Sequence, residues 1–300
     1  MGLLSGSVSV TRYNVTSRPD RLDFDRLRFT EIAPGSELRE SRGFLPFELG
    51  ADYQVGEDRW AFRIRIDRVR PDPTLVRERV RSLVQTEIEA GAEVVGPKKR
   101  RQLKQLAEEE LVVSTSPRSK IIEGYIDDDV LYVGTTAKTH LGVVAELLRK
   151  IEVRIEPKAP WIDRGETEFE SEIVDTHEPG ESALGCRLLR ELVGDSEITI
   201  EPENGRVKLQ TPDTKVSLAG VVIHDLLYFL ERDAEILSAR MIAGDVTFDF
   251  DALSFRVSSM RVETAHWEHW TELLDERMEK IGGVFELLDM KYFEVQPQDL

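Results

Sequence analysis

The sequence has very little cysteine: Cys186 is the single one among 300 residues. A lone cysteine excludes a disulfide within the chain and a zinc site built on several thiolates. No run of 18 apolar residues occurs, so no membrane-spanning helix is expected. The first residues lack a basic stretch followed by a long apolar one, so no signal peptide is predicted. These absences favour a cytoplasmic protein.

Motifs of common enzyme classes are missing as well. There is no Gly-x-x-x-x-Gly-Lys-Ser/Thr phosphate loop and no Gly-x-Gly-x-x-Gly fingerprint. His266 and His269 could share a metal on a helix, but a His-Glu-x-x-His pattern and a clear third ligand are absent. Asp127, Asp128 and Asp129 are explained more simply by a hairpin turn. The sequence predicts no enzyme, no metal and no cofactor, and a metal hydrolase with converging carboxylates stays open as an alternative.

Positive charge is scarce overall but concentrated in one place. The chain has 40 Lys and Arg against 57 Asp and Glu, a formal charge of -17. From Arg59 to Lys104 there are 13 basic against 6 acidic residues, or +7, which leaves -24 for the remainder. Within this stretch "KKRRQLK", residues 98–104, holds five basic residues. A local basic surface can bind a polyanion while an acidic remainder keeps the protein soluble and repels DNA elsewhere.

The basic run stands at the start of a helix predicted from Pro97 to about Leu111. Positive charge in the first turns opposes the helix dipole, so helix formation alone does not explain it. An Arg-rich strand and helix lie just upstream, and phosphate contacts require positive charge repeated along a surface. The predicted DNA-contact residues are Lys98, Lys99, Arg100, Arg101, Lys104, Arg63, Arg65, Arg77, Arg81, Arg118 and Lys120.

Residue periodicity and turn signals predict an α+β chain of two mixed lobes, each with antiparallel strands and packed helices. The N-terminal lobe, residues 1–158, carries the basic helices, and residues 159–300 form an acidic lobe. Predicted strands cover 5–15 and 59–69, hairpins at 121–133 and around 204–205, and three strands between 234 and 260. Predicted helices cover 72–90, 97–111, 137–150, a buried amphipathic one at 219–233, and 266–288. Residues 33–47 are predicted as loop and 154–170 as the linker between the lobes.

Three segments resemble one protein family. "SRGFLPF" (41–47), "IEAGAEVVGPKKRRQLKQLAEEEL" (88–111) and "YIDDDVLYVGTTAKTHLGVVAELLRKI" (125–151) resemble parts of the recombination-associated ring proteins called RdgC. These parts are a Gly-aromatic-x-Pro element, a lysine-rich helix pair, and a hairpin followed by a helix. Beyond residue 151 the similarity consists of element order and the ending "ERMEKIGGVFELLDM" (276–290). The chain departs at "LVVSTSPRSK" (111–120), where family members tend to carry Leu-Pro and aromatic residues.

The resemblance implies a nucleoid-associated protein that binds duplex DNA without sequence preference and without catalysis. Elongated, curved subunits would form a ring-shaped homodimer with a basic lining, which restrains the recombinase RecA; binding of single-stranded DNA stays open. We expect ring contacts at the final helix, with Trp267, Trp270 and Phe285, and at the hairpin Ile121 to Val133. From the residues alone, a protein-interaction or scaffold module whose basic patch meets an acidic partner is the alternative.

Overall fold

The computed structural model describes residues 2–33, 35–166 and 171–295. The fold is mixed α+β with a large antiparallel sheet, which confirms the predicted class. Contacts divide the chain into two compact units: a large unit (residues 1–22, 48–62 and 122–300) and a small unit (residues 23–47 and 63–121). This division differs from the predicted lobes, because residues on both sides of position 158 belong to the large unit.

The secondary-structure elements follow one another along the whole described chain. The strands are β1 (Val8–Ser17), β2 (Glu40–Leu45), β3 (Gln54–Gly56), β4 (Arg59–Arg68), β5 (Arg118–Asp127), β6 (Val130–Val133), β7 (Arg154–Pro157), β8 (Ile198–Ile200), β9 (Arg206–Gln210), β10 (Lys215–Ala219), β11 (Glu235–Ala243), β12 (Val246–Asp251) and β13 (Arg256–Arg261). The helices are α1 (Pro73–Glu89), α2 (Pro97–Val112), α3 (Lys138–Lys150), α4 (Pro160–Asp163), α5 (Leu184–Glu191), α6 (Ile223–Leu230) and α7 (Trp270–Val295).

In the small unit, β2 pairs antiparallel with β4. The prediction of a loop over residues 33–47 is therefore wrong in its second half. Gly43 permits this strand, because a Cβ there would lie 2.6 Å from backbone atoms of Leu27 and Phe29. The next residue, Phe44, is fully buried and meets Phe24 edge-to-face at 5.1 Å. Glycine and proline suggested a loop, whereas the glycine marks a close approach of two backbones.

The helix pair α1 and α2 completes the small unit, and both helices lie where they were predicted. Asp72 caps α1 by accepting a hydrogen bond from the Thr74 backbone N–H at 2.6 Å. Only Val76 of α1 is buried, and α2 buries Leu103, Ala107 and Val112. We call this pair the helix hairpin. It has a thin apolar seam between α1 and α2 and an extensively exposed surface.

In the large unit the strand order is β10-β9-β11-β12-β13-β1-β6-β5, with each pairing antiparallel where the register is defined. The first strand, β1, pairs with β13 at Val8 and Val10 and with β6 from Thr11 to Asn14. It also pairs with β7. The predicted linker 154–170 is therefore wrong for its first part, because β7 belongs to this sheet and Trp161 in α4 is buried. Residues 167–170 of that prediction lie outside the described residues.

The hairpin predicted around residues 204–205 is also wrong. Strands β8 and β9 flank the turn, but both pair with β11 rather than with each other. At Gly205 a Cβ would lie 2.5 Å from the backbone oxygen of Glu201, so the backbone at these two residues approaches too closely for a side chain at position 205. The three strands predicted between 234 and 260 are confirmed as β11, β12 and β13, joined in sequence order.

Helix α7 packs on the sheet through buried residues that include Leu274, Ile281 and Phe285. Because Phe285 is fully buried within its own subunit, its predicted role as a subunit contact is wrong. The helix begins at Trp270, so His266 and His269 precede it and do not share a helical face as predicted. Cys186, predicted to be a core residue, is confirmed as fully buried in α5, and burial raises the pKa of its thiol.

Helix α6 was predicted to be a buried amphipathic helix, and this is wrong. It buries Leu226 and Leu230, whereas Ile223, Leu227 and Tyr228 are exposed. Its composition alone could not reveal this, since a helix that is apolar on most sides normally lies in a core. Among the described residues, no helix is both long and apolar enough to cross a membrane.

Candidate nucleic-acid interface

All eleven predicted DNA-contact residues belong to the small unit. This unit carries 18 Lys and Arg against 14 Asp and Glu, a formal charge of +4, and the rest of the chain carries 22 against 43, a formal charge of -21. The uneven charge of the sequence therefore follows the division of the structure into units. A basic unit attached to an acidic one offers a polyanion one favourable region on the chain.

The start of α2 presents the most available positive charge. Lys98, Arg100 and Arg101 are exposed, and within the part of the chain that the structure describes their side chains make no ion pair. The other two basic residues of the run are partnered: Lys99 Nζ lies 2.8 Å from Glu87, and Lys104 Nζ lies 3.6 Å from Glu108. We call the three unpaired residues the α2 triad.

The antiparallel packing of α1 and α2 explains part of the charge pattern that opposes the helix dipoles. Each helix is basic in its first half and acidic in its last, so the hairpin places opposite charges side by side. Arg79 Nε donates to Glu110 at 2.7 Å, and this hydrogen bond lowers the pKa of Glu110. Lys99 and Glu87 form the equivalent pair at the other end. The α2 triad lies outside this pairing scheme.

The strand arginines are engaged inside the small unit. Arg63 donates from Nε and Nη2 to the Pro46 carbonyl at 3.1 and 2.8 Å. Arg65 makes two 2.8 Å hydrogen bonds to Asp67, which is only 1% exposed. Burial would raise the pKa of Asp67, but hydrogen bonds from Arg65 and Ser119 outweigh it and hold the pKa below the ordinary 3.8. Both guanidinium groups therefore make contacts that stabilise the small unit.

Arg77, Arg81 and Arg118 lie toward the other end of the helix hairpin, and Lys120 is exposed on β5. Arg77 and Arg81 are exposed, one turn apart in the first half of α1, and Arg77 Nε donates to the Pro73 carbonyl. The Thr74 hydrogen bond lowers the pKa of Asp72 at the start of α1, and the nearby positive charge of Arg118 lowers this pKa further. At 1.5 Å per residue, Arg77 lies about 15 Å along α1 from the Glu87 end, where the triad begins.

Sequence reasoning missed the apolar surface of the hairpin. Val94, in the loop between the helices, is 82% exposed, and Ile88, Leu106 and Leu75 are 44%, 42% and 53% exposed. Their exposure could not be read from periodicity, which marks an apolar stripe without showing whether another element covers it.

Among the described residues, no group of three or more His, Cys, Asp and Glu side chains is placed to hold a metal ion. Asp128 and Asp129 form the turn between β5 and β6, in which Asp127 is paired with Val130. No model of a known protein family matches the chain, and neither does any curated protein.

Proposed function

We propose that this protein binds duplex DNA without sequence preference through the small unit. The observation that carries the proposal is the α2 triad, three exposed cationic side chains that the described chain leaves without ion pairs. Lysine and arginine of this kind release condensed counterions when they contact phosphates, and such contacts carry no sequence information. The -21 charge outside the small unit would repel DNA, so binding is confined to this region.

Two groups of basic residues would contact the DNA. The triad lies at one end of the helix hairpin, Arg77, Arg81 and Arg118 lie toward the other, and Lys120 follows Arg118 on β5. A separation of about 15 Å lets the groups meet different phosphates of one duplex. We propose contacts with the backbone, because aromatic side chains suited to stacking on unpaired bases are absent from the basic run.

The affinity should depend steeply on salt. If about five to eight phosphates are neutralised, log K falls with log salt at a slope of about -5 to -7. Fluorescence anisotropy with a labelled duplex at several salt concentrations measures the slope, and unlabelled duplexes of unrelated sequence should compete equally. A shallow slope, or a strong preference for one sequence, would contradict a phosphate-contacting surface.

We further propose, with the resemblance to the RdgC family as support, that two chains form a ring around the duplex and limit recombinase access. The basic residues of one chain contact one side of the duplex, whereas a two-fold dimer surrounds the duplex with positive charge. The buried position of Phe285 removes one of the contacts expected to close such a ring, and Trp267, which is 41% exposed, remains available.

Encirclement predicts a dimer of the 34.2 kDa chain that is retained on closed DNA circles. Light scattering gives the mass, and a monomer at working concentration would exclude the ring. For a dimer, treatment with a bifunctional cross-linker after loading should trap protein on circles through a high-salt wash, while linear DNA of the same sequence releases it. Equal release from both would leave a dimer that does not encircle DNA.

A protein partner is the second candidate function, and the exposed apolar residues favour it. Val94 and Ile88 lie near the start of α2, and an acidic partner with an apolar centre would fit cationic and apolar groups together. Binding to such a partner would respond weakly to salt once apolar surface is buried. Val94→Ser combined with Ile88→Ser separates the two candidates, because DNA binding through phosphates should survive this change.

A further inference from the structure

The sheet of the large unit ends at β10, and the outer edge of this strand is open. β10 pairs with β9 in an unbroken register from Lys215 to Ala219. Within the described part of the chain, no other strand pairs with β10 and no residue hydrogen-bonds to its outer edge. Proteins usually protect such an edge with proline, a bulge or several charges, because it is a template for another strand. β10 has no proline, no bulge and one charged side chain.

The hairpin turn determines which residues of β10 direct their backbone outward. The Thr211 N–H donates to the Thr214 carbonyl at 2.9 Å, so these two residues form a hydrogen-bonded pair. Hydrogen-bonded and non-hydrogen-bonded pairs alternate along an antiparallel ladder. Lys215, Ser217 and Ala219 therefore form non-hydrogen-bonded pairs with β9, and their N–H and C=O groups point away from the sheet. These three residues offer a regular set of donors and acceptors to a further strand.

Apolar side chains accompany this open edge. Val216 and Leu218 share one face of β10 and are half-buried. Helix α6 begins four residues after β10 ends, and Ile223 in its first turn is 41% exposed. Leu227, one turn further along, is 39% exposed. The backbone of the edge requires an extended segment as its occupant, and these side chains favour one with apolar residues at alternate positions.

We propose that the occupant is β10 of a second copy of this chain, paired antiparallel about a two-fold axis at Ser217. In this register Val216 lies opposite Leu218 of the partner subunit, and this apolar cross-strand pair occurs twice. Lys215 lies opposite Ala219 of the partner subunit, so no two like charges face each other. The strand is therefore complementary to itself, as a two-fold contact requires. The contact does not involve the helix hairpin, so it can hold or fail independently of DNA binding.

A cysteine at position 217 tests the contact on the full chain. The two-fold axis places the two Cα atoms of residue 217 about 5.5 Å apart, a separation that a disulfide can bridge. Ser217→Cys should therefore form a disulfide-linked dimer under mild oxidation, detected on a non-reducing denaturing gel. Lys208→Cys, exposed on β9 directly opposite Ser217, is the matched control. Its two copies would lie about 14 Å apart, so at least tenfold less dimer should form. Cys186 is fully buried and should stay reduced.

A proline at position 217 tests the contact without a cross-link. Because the Ser217 N–H points outward, Ser217→Pro removes a donor from the edge and leaves the pairing with β9 intact. Light scattering should show the parent as a particle of two 34.2 kDa chains, and the folded variant should dissociate at least tenfold more readily. Ser217→Thr keeps the N–H and should remain as dimeric as the parent.

Three results would each overturn this contact. They are a monomeric parent chain, which would leave the edge to a different polypeptide, equal cross-linking of the two cysteine variants, and a dimer that resists Ser217→Pro. The last result would leave the proposed ring standing with other contacts. If Ser217→Pro does not fold, the comparison of Ser217→Cys with Lys208→Cys decides the question.

Discussion

Replacing Lys98, Arg100 and Arg101 together by glutamate is expected to abolish detectable binding of duplex DNA at physiological salt. Loss of three phosphate contacts lowers the salt slope by about 2.7, which corresponds to roughly a 100-fold loss of affinity near 0.15 M salt. The three new carboxylates add repulsion to this loss. Anisotropy titrations of the variant and the parent at matched salt provide the measurement.

These three residues make a sharper test than the whole basic run. Lys99 and Lys104 pair with Glu87 and Glu108, so changing them would also release two carboxylates. The fold should tolerate the change, since acidic residues in the first turn of α2 favour its dipole. Circular dichroism and thermal melting should show a folded variant.

The matched control reverses three charges elsewhere. Arg206, Lys208 and Lys215 are exposed on β9 and β10 of the large unit, and their replacement by glutamate changes the net charge equally. If this control loses affinity as strongly as the triad variant, total charge rather than location governs binding. If a folded triad variant still binds normally, the contact surface lies with Arg81, Arg118 and their neighbours.

Asp289→Ala is expected to destabilise the protein by about 3–5 kcal/mol. Arg12, on β1, is only 4% exposed, and its two terminal nitrogens each lie 2.8 Å from an Asp289 oxygen on α7. The guanidinium also lies 4.3 Å from the centre of the Phe285 ring. Removal of the carboxylate leaves this cation buried without its counter-ion. The midpoint and slope of urea unfolding report the free energy of unfolding.

Two further variants identify the cause of that loss. Glu286→Ala, at an exposed position on the same helix, should change the free energy of unfolding by less than about 0.5 kcal/mol. Arg12→Met combined with Asp289→Leu should recover much of the loss, because an apolar pair removes the buried charge. A double variant as unstable as Asp289→Ala would show that packing geometry, rather than the unpaired cation, determines the effect.

Features of the fold that depend on local pattern were predictable from the sequence. The helices α1, α2 and α3 and the hairpin of β5 with β6 follow from apolar spacing, a capping aspartate and an acidic turn. Strand partners that lie far apart in sequence were not predictable. The pairing of β1 with β13 and of β8 and β9 with β11 depends on contacts that no short segment encodes.

The contact residues were also predictable only where they depend on local sequence. The basic run of α2 and its exposure follow from the sequence, because charged residues are rarely buried. The engagement of Arg63 with the Pro46 carbonyl could not be foreseen, since its partner comes from an adjacent segment folded against it.

The central position of β1 has a consequence for synthesis on the ribosome. Val8 and Val10 pair with β13, and Arg12 pairs with Asp289, so the partners of this strand emerge among the last parts of the chain. At about 5–20 residues per second, Val10 waits roughly 12–50 s before Val257 has been translated. An apolar strand left without its partner for that time is exposed to aggregation. Production of this protein should therefore benefit from slower growth at low temperature or from chaperones that shield nascent β1.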